Sequence, residues 1–241
     1  MVHTEWSLLL QLVIVAAILI YGIVVVRFVP NRLSWILNSI AGGATIGIGL
    51  GLGLSLDAMG LAPATLARGL VFGLAVGIGI CAVVLAVSRV QWLRPHFTDT
   101  PFARMSRKRL GSEVAVRIPL GTALFEEVLF RGLLLGLFMQ FHTTWAALLL
   151  MAVCFGFWHL SGEVRKIETQ HGVEQLFGRA TGRQWARALG VVVATALAGL
   201  VFGLLRLLPG SLLAPWLVHW AINASGALAS RGGLGARSRS E

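Results

Sequence analysis

Glu126 and Glu127 stand together in an otherwise apolar stretch, with Arg131 four residues after the second of them. His159 follows Phe155 by four residues in the next apolar stretch, and Asn223 follows His219 by four residues in the last. A charge at mid-bilayer costs roughly 2.5–3.5 kcal/mol on insertion scales, so ionisable side chains in such stretches line a site and find partners there. On a helix, residues i and i+4 share a face. Glu127 is thus set for an ion pair with Arg131, while Glu126 is turned about 100° away and left free for chemistry. His219 and Asn223 offer two hydrogen-bonding groups on one face, and Phe155 sets a ring beside the His159 imidazole. A carboxylate near two imidazoles in a water-poor cavity can activate a water molecule. An imidazole and a carboxamide can donate to an oxyanion developing on a carbonyl. Together these groups make an apparatus for peptide-bond hydrolysis with no serine or cysteine nucleophile. Two histidines and a glutamate are also a zinc set. The H-E-x-x-H spacing is absent, however, and His159 and His219 come from distant stretches. Zinc at Glu126, His159 and His219 is the minor alternative.

The elements that must hold these groups are membrane helices. Of the 241 residues, 56% are hydrophobic and 12% charged, against about 25% charged in a soluble domain. Such a chain cannot cover its own surface with polar groups, and it is far too apolar to be disordered. Cys81 and Cys154 both lie in apolar runs, which excludes a disulfide framework or a cysteine-built metal cluster. The expected fold class is all-α, a polytopic membrane protein of about seven transmembrane helices. The spans are expected near 8–26, 35–56, 66–88, 113–138, 144–160, 186–208 and 211–230, with Pro209 and Gly210 turning between the last two. They use nearly the whole chain, so one transmembrane domain over 1–241 is expected.

Orientation follows from charge. Lys and Arg exceed Asp and Glu by 20 to 10. Seventeen of the basic residues fall in alternate connections and the C-terminal tail, and only Arg68 and Arg206 fall on the opposite side. The positive-inside rule then places the N-terminus outside and the C-terminus in the cytoplasm. The basic excess is therefore a topology signal with attraction to anionic lipid as a by-product, and no nucleic-acid partner is expected. Trp6, Trp35, Trp92, Trp145 and Trp185 fall near span ends, where indoles sit well. The polar groups agree in depth. Glu126 is nine residues beyond Arg117, about 13 Å along a helix, and Asn223 is eight residues before Arg231, about 12 Å from the same side. Gly43, Gly47 and Gly51, and again Gly69, Gly73 and Gly77, recur at four-residue spacing, which lets helices approach closely in lipid, within the monomer or, as the alternative, at a dimer face. Residues 161–185 read as a connector at the membrane surface. His3, His96, His142 and His171 fall in termini or connections, where solvation is the expectation.

The three motifs, Glu126-Glu127-x-x-x-Arg131, Phe155-x-x-x-His159 and His219-x-x-x-Asn223, resemble those of the CAAX prenyl protease and bacteriocin-processing (CPBP) family of intramembrane proteases. Order, spacing and placement on separate helices all match, over about residues 113–230. The resemblance implies a glutamate-dependent, metal-free mechanism without a cofactor. Glu126 and His159 would polarise the attacking water, and His219 and Asn223 would stabilise the oxyanion. Glu127 and Arg131, with Phe155 in support, would hold the fourth helix in register. The implied partner is a membrane-associated protein or peptide substrate, cleaved near the cytoplasmic face, and the implied location is a bacterial or archaeal cell (inner) membrane. Two other functions use the same residues: a non-catalytic scaffold for a cell-envelope or signalling partner, and a proton-coupled transporter. The intact motif set argues against the first, and the lack of an inverted repeat against the second.

Overall fold

A computed structural model describes residues 2–93, 97, 101–171 and 182–232. The fold is all-α, and no strand occurs among the described residues. The long elements are α1 (Val2–Phe28), α2 (Asn31–Gly51), α3 (Pro63–Val87), α4 (residues 107–139), α5 (Thr144–His171), α6 (Gly182–Leu207) and α7 (Leu213–Gly232). The expected connector 161–185 is helical up to His171 and again from Gly182, and residues 172–181 lie outside the described residues.

Among the described residues, five stretches are long and apolar enough to cross a membrane: Ser7–Phe28, Asn31–Gly51, Pro63–Val87, Thr144–Lys166 and Gln184–Leu207. The two remaining expected spans form α4 and α7. Glu126, Glu127 and Arg131 make the first of these less apolar, and His219 and Asn223 the second. These helices have less need of apolar surface, because the others shelter them. Residues 125–138 of α4 are buried without a break, whereas only 11% of the apolar window of α3 is buried. A helix enclosed on every side is the place where charge can be kept out of lipid.

α4 packs against α2, α5, α6 and α7. It begins as an α-helix over Arg107–Ser112, where Ser106 caps the first turn by accepting from the Arg109 amide. It then widens to a π-helix over Glu113–Leu124 and Glu127–Leu134, and closes as α-helix over Leu135–Met139. Pro119 sits inside the first π segment. In a π-helix the amide of residue 119 would bond the carbonyl of residue 114, and proline has no N–H to give. The Trp220 indole supplies it, donating to the Val114 carbonyl at 2.8 Å. One turn earlier on α7, Trp216 donates to the Pro119 carbonyl at 2.8 Å. The backbone acceptor that proline strands thus becomes a fastening between α4 and α7.

α2 ends at Gly51 rather than near residue 56, because Gly53 takes a φ of 81° that breaks the helix. The following loop turns inward and places Leu54 and Met59 in the core beside Leu133, Leu134 and Leu135. Arg206 holds the loop by donating to the carbonyls of Asp57 at 3.0 Å and Ala58 at 2.5 Å. Arg68 donates to the Pro209 carbonyl at 2.7 Å. Both basic residues that break the charge asymmetry therefore have a structural use.

Close helix pairs are made by small residues. A Cβ at Gly73 would meet the Ala214 backbone at 2.9 Å, and Gly69 and Gly77 face Ser211 and Ala221, so α3 lies directly on α7. Gly156 likewise admits the Val192 carbonyl, and Gly199 the Ala152 backbone, joining α5 to α6. The other expected stripe behaves differently. Gly43, Gly47 and Gly51 have nothing within 4 Å of a built Cβ, and Gly42, Thr45 and Gly49 are the buried positions of α2. Gly73→Val should lower the melting temperature in detergent, at a cost of about 1–3 kcal/mol for overpacking. Gly47→Val, on the open face, should stay within about 0.5 kcal/mol of the unaltered chain.

Candidate active site

The two adjacent glutamates of α4 leave the helix in different directions and meet different partners. Glu127 and Arg131 are wholly buried, and Arg131 Nη1 donates to Glu127 Oε1 at 3.1 Å. The same carboxylate oxygen accepts from His219 Nδ1 of α7 at 2.8 Å. Arg131 Nη2 reaches the Gly199 carbonyl of α6 at 3.4 Å. The Glu127–Arg131 pair is thus the junction of three helices, which is more than the i,i+4 pair expected from spacing.

Arg131 is also enclosed by aromatic faces. Its guanidinium lies over the Phe155 ring at 4.1 Å and over the Phe202 ring at 5.0 Å. A planar, weakly hydrated cation between two ring faces is a favourable way to bury positive charge. Phe155 meets the His159 ring edge-on, with centroids 4.6 Å apart, and Phe202 stacks on His219 at 5.0 Å. A continuous series of contacts, His159–Phe155–Arg131–Phe202–His219, therefore links the two imidazoles through the guanidinium.

Glu126 takes no part in that series. Its Oε1 accepts from the Trp158 indole of α5 at 3.3 Å. Its Oε2 is buried, has no hydrogen-bond partner among the described residues, and lies 3.9 Å from His219 Nε2. Glu127 Oε2 and Arg131 Nε are also buried without partners, but each belongs to a group whose other atoms are bonded. Trp158 is fixed by its neighbours: it stacks on Tyr21 at 6.3 Å, packs against Phe125 and Phe130, and presses into α1 where Gly22 has no side chain. A Cβ at Gly22 would meet the indole at 2.7 Å.

The partners assign the imidazole tautomers. Glu127 Oε1 already accepts from Arg131, so His219 Nδ1 is the donor and Nε2 faces Glu126. His159 Nδ1 donates to the Phe155 carbonyl at 2.9 Å, leaving its Nε2 unbonded among the described residues. Among the predicted site residues the structure joins Glu126, Glu127, Arg131, Phe155 and His219. His159 bonds its own helix, and neither it nor half-buried Asn223 forms a hydrogen bond or ion pair with Glu126 or Glu127. Among the described residues no three His, Cys, Asp or Glu side chains converge as a metal site.

Three comparisons with known proteins bear on this constellation. Residues 113–225 match the family model described as type II CAAX prenyl endopeptidase, Rce1-like. The match covers just under half of the chain, and over these residues the chain resembles that family. No curated protein and no solved structure matches it. The Rce1-like segment starts at the first π turn of α4 and takes in all three motifs, Glu126 to Asn223. The family that the model describes is one of proteases, and the apolar helices of the chain are those of an integral membrane protein.

Sequence reasoning left out Phe202 and Gly199, which complete the Arg131 enclosure from α6. α6 has no ionisable residue at this depth to draw attention to it. The usable signal is the small-residue spacing of Gly199 and Gly203 around Phe202. Arg131→Met should leave Glu127 buried without its cation and cost about 3–5 kcal/mol. Arg131→Lys should recover little of this, because an ammonium loses the planar fork that reaches both Glu127 and the Gly199 carbonyl, and the ring stacking with it. Thermal unfolding of the two variants in one detergent checks both expectations.

Proposed function

We propose that this protein is an intramembrane endopeptidase that hydrolyses a peptide bond of a membrane-associated substrate near the cytoplasmic face, with Glu126 as general base. The observation that carries the reading is the buried, unpartnered Glu126 Oε2 across 3.9 Å from His219 Nε2. A water placed at ordinary hydrogen-bond distance from both atoms would make an angle of roughly 90° between them, close to what water's own geometry allows. Water held there loses a proton to Glu126 as its oxygen attacks the scissile carbonyl. The resulting oxyanion takes hydrogen bonds from the Asn223 carboxamide and, in the imidazolium form that the Glu127 carboxylate favours, from His219 Nε2, the pair that the family pattern names. Glu126, now a carboxylic acid, returns the proton to the departing amide nitrogen, and the C–N bond breaks. His159, its Nδ1 fixed by Phe155, has Nε2 left to help orient the water.

Glu127 has the supporting role. It accepts from His219 as a buried carboxylate does in a hydrolase triad, fixing tautomer and ring orientation, and Arg131 balances its charge. No step of the reaction calls on a metal or organic cofactor. The cytoplasmic placement rests on the basic connections. It agrees with the parallel course of α1 and α5, whose C-terminal halves lie side by side and carry Arg27 and Arg165.

The test is cleavage of a prenylated CAAX peptide, and of its unprenylated counterpart, by protein reconstituted in liposomes. Glu126→Gln keeps the shape of the side chain and removes the base. Turnover should fall by roughly 10²–10⁴-fold, the range for loss of a general base, with the melting temperature held. Cleavage at the unaltered rate by Glu126→Gln would refute the assignment.

A further inference from the structure

A second feature lies on the far side of Trp158 from Glu126. A cavity of about 630 Å³ runs between the C-terminal halves of α1 and α5. Leu19 and Ile23 line it from α1, and Phe157 and Trp158 from α5. Both helices lie in membrane-crossing stretches. Ile23 and Phe157 are half exposed, so the cavity opens sideways toward lipid. Its other end is cationic: Arg27 and Arg165 close the lining, both exposed, at the ends of the Ser7–Phe28 and Thr144–Lys166 spans. The volume falls within the usual range for a specific small-molecule site, about 300–1,000 Å³.

From this arrangement we infer that the α1–α5 cavity is a binding site for one anionic glycerophospholipid. Its phosphate lies at Arg27 and Arg165, and an acyl chain runs down the apolar wall to Trp158. Charge complementarity chooses the occupant. The walls offer carbon surface, and the one end that reaches the headgroup depth offers two guanidiniums, which suit a phosphodiester. A zwitterionic lipid offers the same phosphodiester but brings its own ammonium beside the two guanidiniums, and an uncharged lipid offers no anion, so net negative charge is what the basic end selects. The site does not depend on the proteolytic reading, since the Trp158 N–H points to Glu126 and no reacting group lines the cavity. A chain seated there would brace the indole that Glu126 accepts from, placing a lipid one side chain away from the reacting carboxylate.

Native mass spectrometry of the full chain, released from nanodiscs of equal phosphatidylglycerol and phosphatidylcholine with identical acyl chains, reads the site directly. The expected result is one retained phosphatidylglycerol, favoured over phosphatidylcholine on the order of tenfold for two cations at the headgroup. Arg27→Gln with Arg165→Gln should abolish the preference. Ile23→Trp should fill the cavity and lose the retained lipid. Leu12→Trp, at an exposed α1 position outside the cavity, should keep it. Glu126→Gln should keep it too, which separates this result from any outcome on cleavage. Equal retention of the two lipids by the unaltered chain overturns the inference. So does full retention by Ile23→Trp, or displacement of the lipid by a prenylated CAAX peptide at stoichiometric amounts.

Discussion

The buried carboxylate of Glu127 is the constraint on which the rest of this molecule depends. One oxygen of it accepts from Arg131 of its own helix and from His219 of α7. Both partners are themselves held by Phe202 of α6, and Arg131 also by Phe155 of α5. Removing an ion pair from water costs several kcal/mol per ion, and attraction recovers it only when the geometry is good and the hydrogen bonds are made. The fold therefore supplies a full shell around one cation and one anion. That shell sets the positions of four helices relative to each other. Because Glu127 is committed in this way, its neighbour Glu126 keeps one carboxylate oxygen without a partner among the described residues, and two identical side chains meet opposite surroundings.

The same logic orders the helices. Those with clean apolar surfaces stand at the outside, where lipid meets most of α3, and the polar α4 and α7 stand within. Lipid gives apolar surfaces no reason to associate, so contact has to come from close backbone approach and from hydrogen bonds between helices. Glycines supply the first, at Gly69, Gly73 and Gly77 under α7 and at Gly156 and Gly199 between α5 and α6. Indole and guanidinium donors aimed at carbonyls supply the second: Trp216, Trp220, Arg68 and Arg206 each bond a main-chain oxygen on another element. In three of these cases the acceptor sits where a proline or a loop has broken the regular ladder: Val114, Pro209 and Asp57.

Much of this could be read from the sequence, for identifiable reasons. Charge inside an apolar run is rare enough to be its own signal, so Glu126, Glu127, Arg131, His159 and His219 stood out at once, and their order named the family. Helix identity was clear from length and hydropathy, and the Pro209-Gly210 turn from its residues. What could not be read was which helices lie inside, since burial of α4 is a property of its neighbours. The Phe202 contribution was hidden because an aromatic residue in an apolar helix carries no mark of its partner. The α2 stripe misled for a related reason: spacing identifies a face but not what it meets, and the buried face holds Gly42 and Gly49. The bonding of His219 to Glu127 was likewise beyond a local rule, because those residues are 92 positions apart.

The central claim is the division of labour between the two adjacent glutamates, one holding the structure and one left to react. Thermal unfolding of Glu127→Gln and Glu126→Gln, side by side in the same detergent, tests it most directly. Glu127→Gln leaves a buried guanidinium without its counter-charge and should lower the melting temperature by on the order of 10 °C. Glu126→Gln should change it by no more than about 2 °C. Equal losses, or a larger loss for Glu126→Gln, would contradict the account.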